Sequence, residues 1–134
     1  MKAADTSLVV AVFASWHERH AVARSVLDAG VRLIEHCALE MYSVFTRLPS
    51  PHRCGGGVVR DFIRARFVAP YLRLDAAAHR EFVLRLPERG VSGGTTYDAL
   101  VAATASACGA ELISCARRAA AVYESYGVRT VLIG

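Results

Sequence analysis

An α/β fold built on a mostly parallel sheet is predicted by three features of the sequence. Short apolar runs alternate with longer stretches of helical periodicity along the whole chain. Strand signals are separated by helix signals rather than by two-residue turns, so successive strands must be joined by crossovers. Of 134 residues, 54% are hydrophobic and 21% charged, enough apolar material for a sheet and the helices that cover it.

The first strand is Lys2 to Ala4, ending at Asp5, and a helix follows from about Ser7 to Ala14. Ser15 and Glu18 have the spacing of a capping box, which opens a second helix with Val22, Val26 and Leu27 inward and Gly30 at its end. Arg32 to Ile34 is a short strand. The helix from Glu35 to Arg47 repeats apolar residues at helical spacing and stops at Pro49-Ser50-Pro51. Gly55-Gly56-Gly57 is a loop before a helix from Val58 to Arg66, with Val59, Phe62 and Ile63 inward. Phe67 to Leu74 is a strand that Pro70 demotes to an edge. Asp75 caps a helix carrying Phe82, Leu84 and Leu86, closed by Pro87 and Gly90. An alanine-rich helix runs from Thr95 to Cys108, with Thr95 and Asp98 spaced as a capping box. A strand from Glu111 to Ser114, a helix from Arg117 to Tyr126 and a strand from Val128 to Ile133 complete the pattern. The expected total is about five strands in one domain over residues 1–134.

In such sheets the ligand site lies beyond the carboxyl ends of the strands. Asp5, directly after the first strand, is therefore a site candidate as well as a helix cap. Glu40 sits among apolar and small residues in the helix after the second strand, where it either faces solvent or joins the site. Asp98 opens a helix whose next dozen residues contain no acid or base, and an aspartate at the head of a buried helix needs a partner. Three carboxylates gathered at one end of a sheet repel one another unless a cation lies between them. Hard divalent cations such as Mg2+ and Mn2+ suit such oxygen ligands.

The chain resembles PIN-domain proteins of the VapC toxin type. The resemblance is carried by Asp5-Thr6-Ser7, by the run from His36 through Glu40 to Pro49, by Gly93-Gly94-Thr95-Thr96-Tyr97-Asp98 with the alanine-rich residues after it, and by Glu111 to Arg118 continuing to Val128. It implies a three-layer α/β/α sandwich with a mostly parallel sheet. It also implies a Mg2+- or Mn2+-dependent endoribonuclease that cuts RNA, commonly tRNA or rRNA, and is silenced by a cognate VapB-like antitoxin. Asp5, Glu40 and Asp98 would be the catalytic and metal-binding acids, with Thr6 and Ser114 as supporting polar groups. Homodimerisation and antitoxin binding through the early helices, at Leu8 to Phe13 and Val22 to Leu27, are expected on the same ground. The pattern departs at one point. The family's run after the fourth strand carries a fourth acid, and here Ser114-Cys115-Ala116-Arg117-Arg118 has Ala116 in its place. The alternative is therefore a PIN-fold binding protein with weak or no nuclease activity.

Arg117 and Arg118 follow the site and are candidates for RNA phosphates, although a solvated helix face explains them equally. Fifteen of sixteen basic residues are arginine and the formal net charge is +4, which suits an anionic partner. Four cysteines without a CxxC pattern are expected to be reduced in a cytoplasmic protein. Cys115 reads as a small core-lining residue rather than an activated thiol. The histidines match no zinc pattern, the glycine runs match no nucleotide fingerprint, and no apolar run is long enough to span a membrane.

Overall fold

The computed structural model describes residues 1–134. In chain order the elements are β1 (Lys2–Ala4), α1 (Thr6–Phe13), α2 (His20–Asp28), β2 (Arg32–Leu33), α3 (Glu35–Arg47), α4 (Gly56–Arg66), α5 (Ala76–Arg85), α6 (Thr95–Ala107), β3 (Glu111–Ser114), a 3₁₀ turn (Arg117–Ala119) leading into α7 (Ala120–Ser125), and β4 (Thr130–Leu132). No helix is long and apolar enough to cross a membrane.

The four strands form one parallel sheet in the order β2-β1-β3-β4. Ala3 and Ala4 of β1, and Leu112 and Ile113 of β3, are buried, so both faces of the central strands are covered. This is the condition under which parallel strands read as continuous apolar runs. The small β1 alanines let α1 and its neighbours approach closely. Phe13 of α1 packs its ring 4.4 Å from Phe45 of α3 and 4.9 Å from Phe62 of α4, joining three helices in one core.

The expected fifth strand, Phe67 to Leu74, reduces to one residue. Leu72 donates its N–H to the Leu33 carbonyl and accepts from Glu35 N–H, both at 2.9 Å, forming an isolated parallel bridge with Ile34. Pro70 has no N–H to donate two residues earlier, so pairing cannot propagate.

Two capping boxes also fail to form. Residues 15–19 turn instead, and α2 begins only at His20. The His17 ring nitrogen Nδ1 accepts the Arg19 N–H at 3.0 Å, taking up a donor that Ser15 does not reach. At α6, Thr95 donates its hydroxyl to the Ser92 carbonyl at 2.7 Å, and Asp98 turns to a side-chain partner instead of the helix end. The cap at Asp75 does form, with its carboxylate accepting from Ala78 N–H at 2.8 Å.

Candidate active site

The order β2-β1-β3-β4 places β1 between a strand that follows it directly and one that returns from much later in the chain. The crevice between β1 and β3 is thus the switch point where doubly wound sheets bind ligands. The register pairs Ala4 with Ile113, so the next step along both strands brings Asp5 beside Ser114. A carboxylate from residue 5 and a hydroxyl from residue 114 meet by sheet register alone.

Asp5 is only 2% exposed, and every lone pair it presents is used. One carboxylate oxygen accepts from the Ser7 hydroxyl at 2.6 Å and from Leu8 N–H at 3.0 Å. The other accepts from the Tyr123 hydroxyl at 2.8 Å and from the Ser114 hydroxyl at 2.5 Å. Asp5 therefore caps α1 and also faces the crevice. Ser7 ties the second layer together: its oxygen accepts the Cys115 N–H at 2.8 Å. Ser114 in turn accepts the Ala116 N–H at 2.9 Å. Burial, followed by the charge on Asp5, pushes the Tyr123 hydroxyl's pKa well up, so Tyr123 stays protonated as a donor.

Glu40 comes from α3 and is half-buried. His36, one turn earlier, lies 3.3 Å from its carboxylate, and the His36 ring stacks on Tyr97 with centroids 5.2 Å apart. The His36 hydrogen bond holds the Glu40 carboxyl below the usual range, outweighing partial burial, with Arg118 adding to the effect. Asp98 comes from the first turn of α6 and is 16% exposed; Arg118, 76% exposed, donates to it at 2.9 Å.

Asp5, Glu40, Asp98 and Arg118 line one small cavity of about 40 Å³, together with Thr6, Ser7, Tyr97, Ala116 and Tyr123. Asp5, Glu40 and Asp98 thus reach the same cavity from the β1–α1 junction, α3 and α6, and Thr6 reaches it too. Ser114 stands just behind, against Asp5. Ala116 occupies the lining with a methyl group where an acid would add a fourth oxygen donor. The side chains as they stand do not close on a single point. Asp98 is held by Arg118, Glu40 by His36, and Asp5 by four donors.

The donor set nevertheless fits a hard divalent cation. Three carboxylates against one guanidinium leave two negative charges without a counter-charge at the cavity. The Thr6 hydroxyl is buried and lacks a full hydrogen bond, although it adjoins Glu40 and Cys37. Oxygen donors of both kinds are what Mg2+ and Mn2+ prefer.

The two consecutive arginines separate. Arg118 turns to Asp98, while Arg117 turns away and donates to the Gly134 carbonyl at 3.2 Å. Burial, with Asp5 close by, raises the pKa of Cys115, and burial pushes that of Cys37 up much further, so neither is an activated thiol. All four cysteines are free. Glu111 lies at the opposite end of β3, paired with Arg129 at 3.0 Å.

Sequence reasoning missed Tyr123, Ser7 and His36. A tyrosine buried in a core needs a partner for its hydroxyl, and that is the signal Tyr123 carried. His36 and Glu40 have the i, i+4 spacing of a helical pair. A much larger groove lies elsewhere, between α3 and α4. It measures about 1070 Å³ and is lined by Leu39, Tyr42, Ile63 and Tyr71 among others, without a convergent set of acids.

The family model for the PIN domain matches residues 3–125. The chain is 47% identical over 133 residues to Ribonuclease VapC40 of Mycobacterium tuberculosis, covering 99% of each chain. It is 34% identical over 131 residues to Ribonuclease VapC27 of the same organism, covering 97% of this chain and 95% of the relative. The crystal structure of FitAcB from Neisseria gonorrhoeae superposes with a TM-score of 0.68 at 16% identity, covering 97% of this chain and 96% of that one. That likeness concerns the fold.

Proposed function

The chain belongs to the PIN-domain family, alongside the VapC ribonucleases, and on that premise we propose that it is an endoribonuclease toxin whose site is Asp5, Glu40 and Asp98. The observation that carries the reading is the meeting of these three carboxylates around one cavity at the carboxyl end of the sheet. They would hold Mg2+ or Mn2+. When bound, such an ion supplies a Lewis acid and lowers the pKa of its own water.

The chain's own groups supply position. Ser7, Ser114, Tyr123 and the Leu8 N–H fix the orientation of the Asp5 carboxylate, one of whose hydrogen bonds would give way to the ion on loading. His36 holds Glu40 in its charged form. Arg118 is tethered only through Asp98 and is otherwise open to solvent, so it can turn to an RNA phosphate at the same cavity. Ala116 leaves the site one acid short, which favours a single ion over a pair. The RNA would be a tRNA or an rRNA, the partner a VapB-like antitoxin, and the working form a homodimer. The protein is read as one PIN-like domain over residues 1–134 acting in the cytoplasm.

The test is expression of the wild type, Asp98→Asn and Ala116→Asp in growing cells, with total RNA sequenced for new 5′ ends. Discrete cuts in the wild type that vanish in Asp98→Asn are expected. Asp98 is the acid to remove, because Asp5 also caps a helix and its loss would confound folding with chemistry. Cuts that appear only with Ala116→Asp would establish the binding-protein reading instead, which the ribonuclease relatives do not favour. Absence of cutting in all three would sink the ribonuclease assignment.

A further inference from the structure

Tyr97 lines the same small cavity as the three acids, yet it is 54% exposed. It stands in the first turn of α6, one residue before Asp98. Its ring lies flat against that of His36 of α3, with the planes 3° apart and the centroids 5.2 Å apart, an offset stack. His36 is itself clamped. Its side chain is only 19% exposed, and its Nε2 lies 3.3 Å from the Glu40 carboxylate. The stack thus covers one face of Tyr97 with a fixed ring and leaves the rest of its aromatic surface to solvent beside the acids. Tyr123, the other tyrosine of that cavity, is buried against Asp5 and offers no such face.

An exposed tyrosine ordinarily gives up rotamer freedom when a ligand fixes it. Here the stack and the clamp behind it have fixed the ring already, so a second flat group adds at a lower entropic cost. An RNA whose backbone enters the carboxylate cavity carries its bases past Tyr97, because the acids and the tyrosine line one space. The acids offer nothing to the face of a base, whereas an aromatic ring does, with little regard to which base it is. We propose that Tyr97, backed by His36, is a stacking platform for an unpaired RNA base beside the scissile phosphate. The inference rests on the ribonuclease reading and deepens it. It makes the substrate single-stranded at the cut, because a base within a duplex has its faces occupied by its neighbours and must be splayed out to stack on a side chain. His36 and Tyr97 come from distant helices, so only their packing reveals the pair.

The test is fluorescence anisotropy in EDTA, where metal-dependent cutting is suspended, over a series of KCl concentrations. Two end-labelled probes are compared: a single-stranded RNA 12-mer, and an abasic 12-mer with the same sugar–phosphate backbone. The proteins are the wild type, Tyr97→Phe, and two variants without a ring, Tyr97→Leu and Tyr97→Gln. The position is more than half exposed, so all are expected to fold, and thermal melts check this. The wild type is expected to bind the RNA more tightly than the abasic strand. The ringless variants should reduce that preference about five- to tenfold, the lower end of the effect of one lost base–aromatic stack. Their affinity for the abasic strand and their slope of log K against log salt should match the wild type, since no phosphate contact is lost. Tyr97→Phe keeps the ring and is expected to keep the preference. A tyrosine that only steadied His36 would weaken both probes alike when removed, and that result would overturn the platform, as would a preference unchanged in the ringless variants. A wild type that cuts RNA yet favours neither probe would overturn the platform alone. A wild type that neither binds nor cuts RNA would overturn the ribonuclease reading and the platform with it.

Discussion

The carboxylate of Asp5 serves folding and the site at once. It caps α1 through the Leu8 N–H, and it gathers hydroxyls from Ser7, Ser114 and Tyr123. A buried charge in that position is tolerated only while its donors persist. Tyr123→Phe removes one donor without changing shape. It is expected to cost about 2 kcal/mol, as for a hydrogen bond to a charged group, measured by urea unfolding. Glu40 makes a milder case, because its carboxyl is half-buried and depressed by His36. Its contribution to stability is complete above the ordinary carboxyl value of 4.5 and is lost as pH falls through the depressed one. The gap in melting temperature between wild type and Glu40→Gln should accordingly close as the pH falls below 4.5. A gap that widens as the pH falls below 4.5 would refute the sign of this coupling.

Among the elements, α6 is closely packed along one face. Ala99, Val101, Ala102, Thr104 and Ala105 are all buried, and the helix packs against α3, α7 and β3. Small side chains bring these backbones close, which sets where Asp98 projects from the first turn. Ala102 is fully buried, so Ala102→Leu inserts three carbons into a filled space. The expected cost is about 1–3 kcal/mol from overpacking, read as a lower urea midpoint. A displaced α6 would also move Asp98 from the cavity, so RNA cutting should fall further than stability alone predicts. At the other end of the range, α5 buries none of its residues; Asp75 caps its start and Phe82 meets the Tyr126 ring, with centroids 6.1 Å apart.

At the scale of the whole molecule, burial sorts the apolar stretches into covered and open ones. The early apolar stretch expected to form an interface is mostly interior: Leu8, Val9, Ala11 and Val12 of α1 are buried. Only part of the second stretch is open, chiefly Val22 at 52% exposure. The large exposed apolar surface lies instead around the groove between α3 and α4, where Leu39 is 71% and Val68 87% exposed. Arg60 and Arg64 line that groove, which suits an apolar segment bearing acidic residues. If an antitoxin binds there, tagged wild-type protein drawn from its own cells will carry a small partner, and Leu39→Asp will lose it while retaining its melting temperature. Equal recovery with both forms would place the partner elsewhere.

Much of this was legible in the residues. Alternating strand and helix signals predicted a parallel sheet, because crossovers leave no other pairing. The bounds of α3 and β3 follow from helical spacing between Ile34 and the prolines, and from the short strand signal Glu111-Leu112-Ile113-Ser114 after Gly109-Ala110. The acids at positions 5, 40 and 98 were identifiable as unusual carboxylates beside apolar segments, and the strand-end rule placed the first at the crevice. Tertiary structure alone decided what those acids touch. Sheet register set Asp5 against Ser114, over a hundred residues away, and helix packing delivered Tyr123 to the same carboxylate. It sent Arg117 and Arg118 to different cavities despite their adjacency, since consecutive residues of a tight turn project in different directions. It also took the apolar side of α1 into the core and left that of α3 uncovered. Local pattern reports periodicity and charge along the chain, but a hydrogen bond between distant residues depends on how closely whole elements pack, which no single segment encodes.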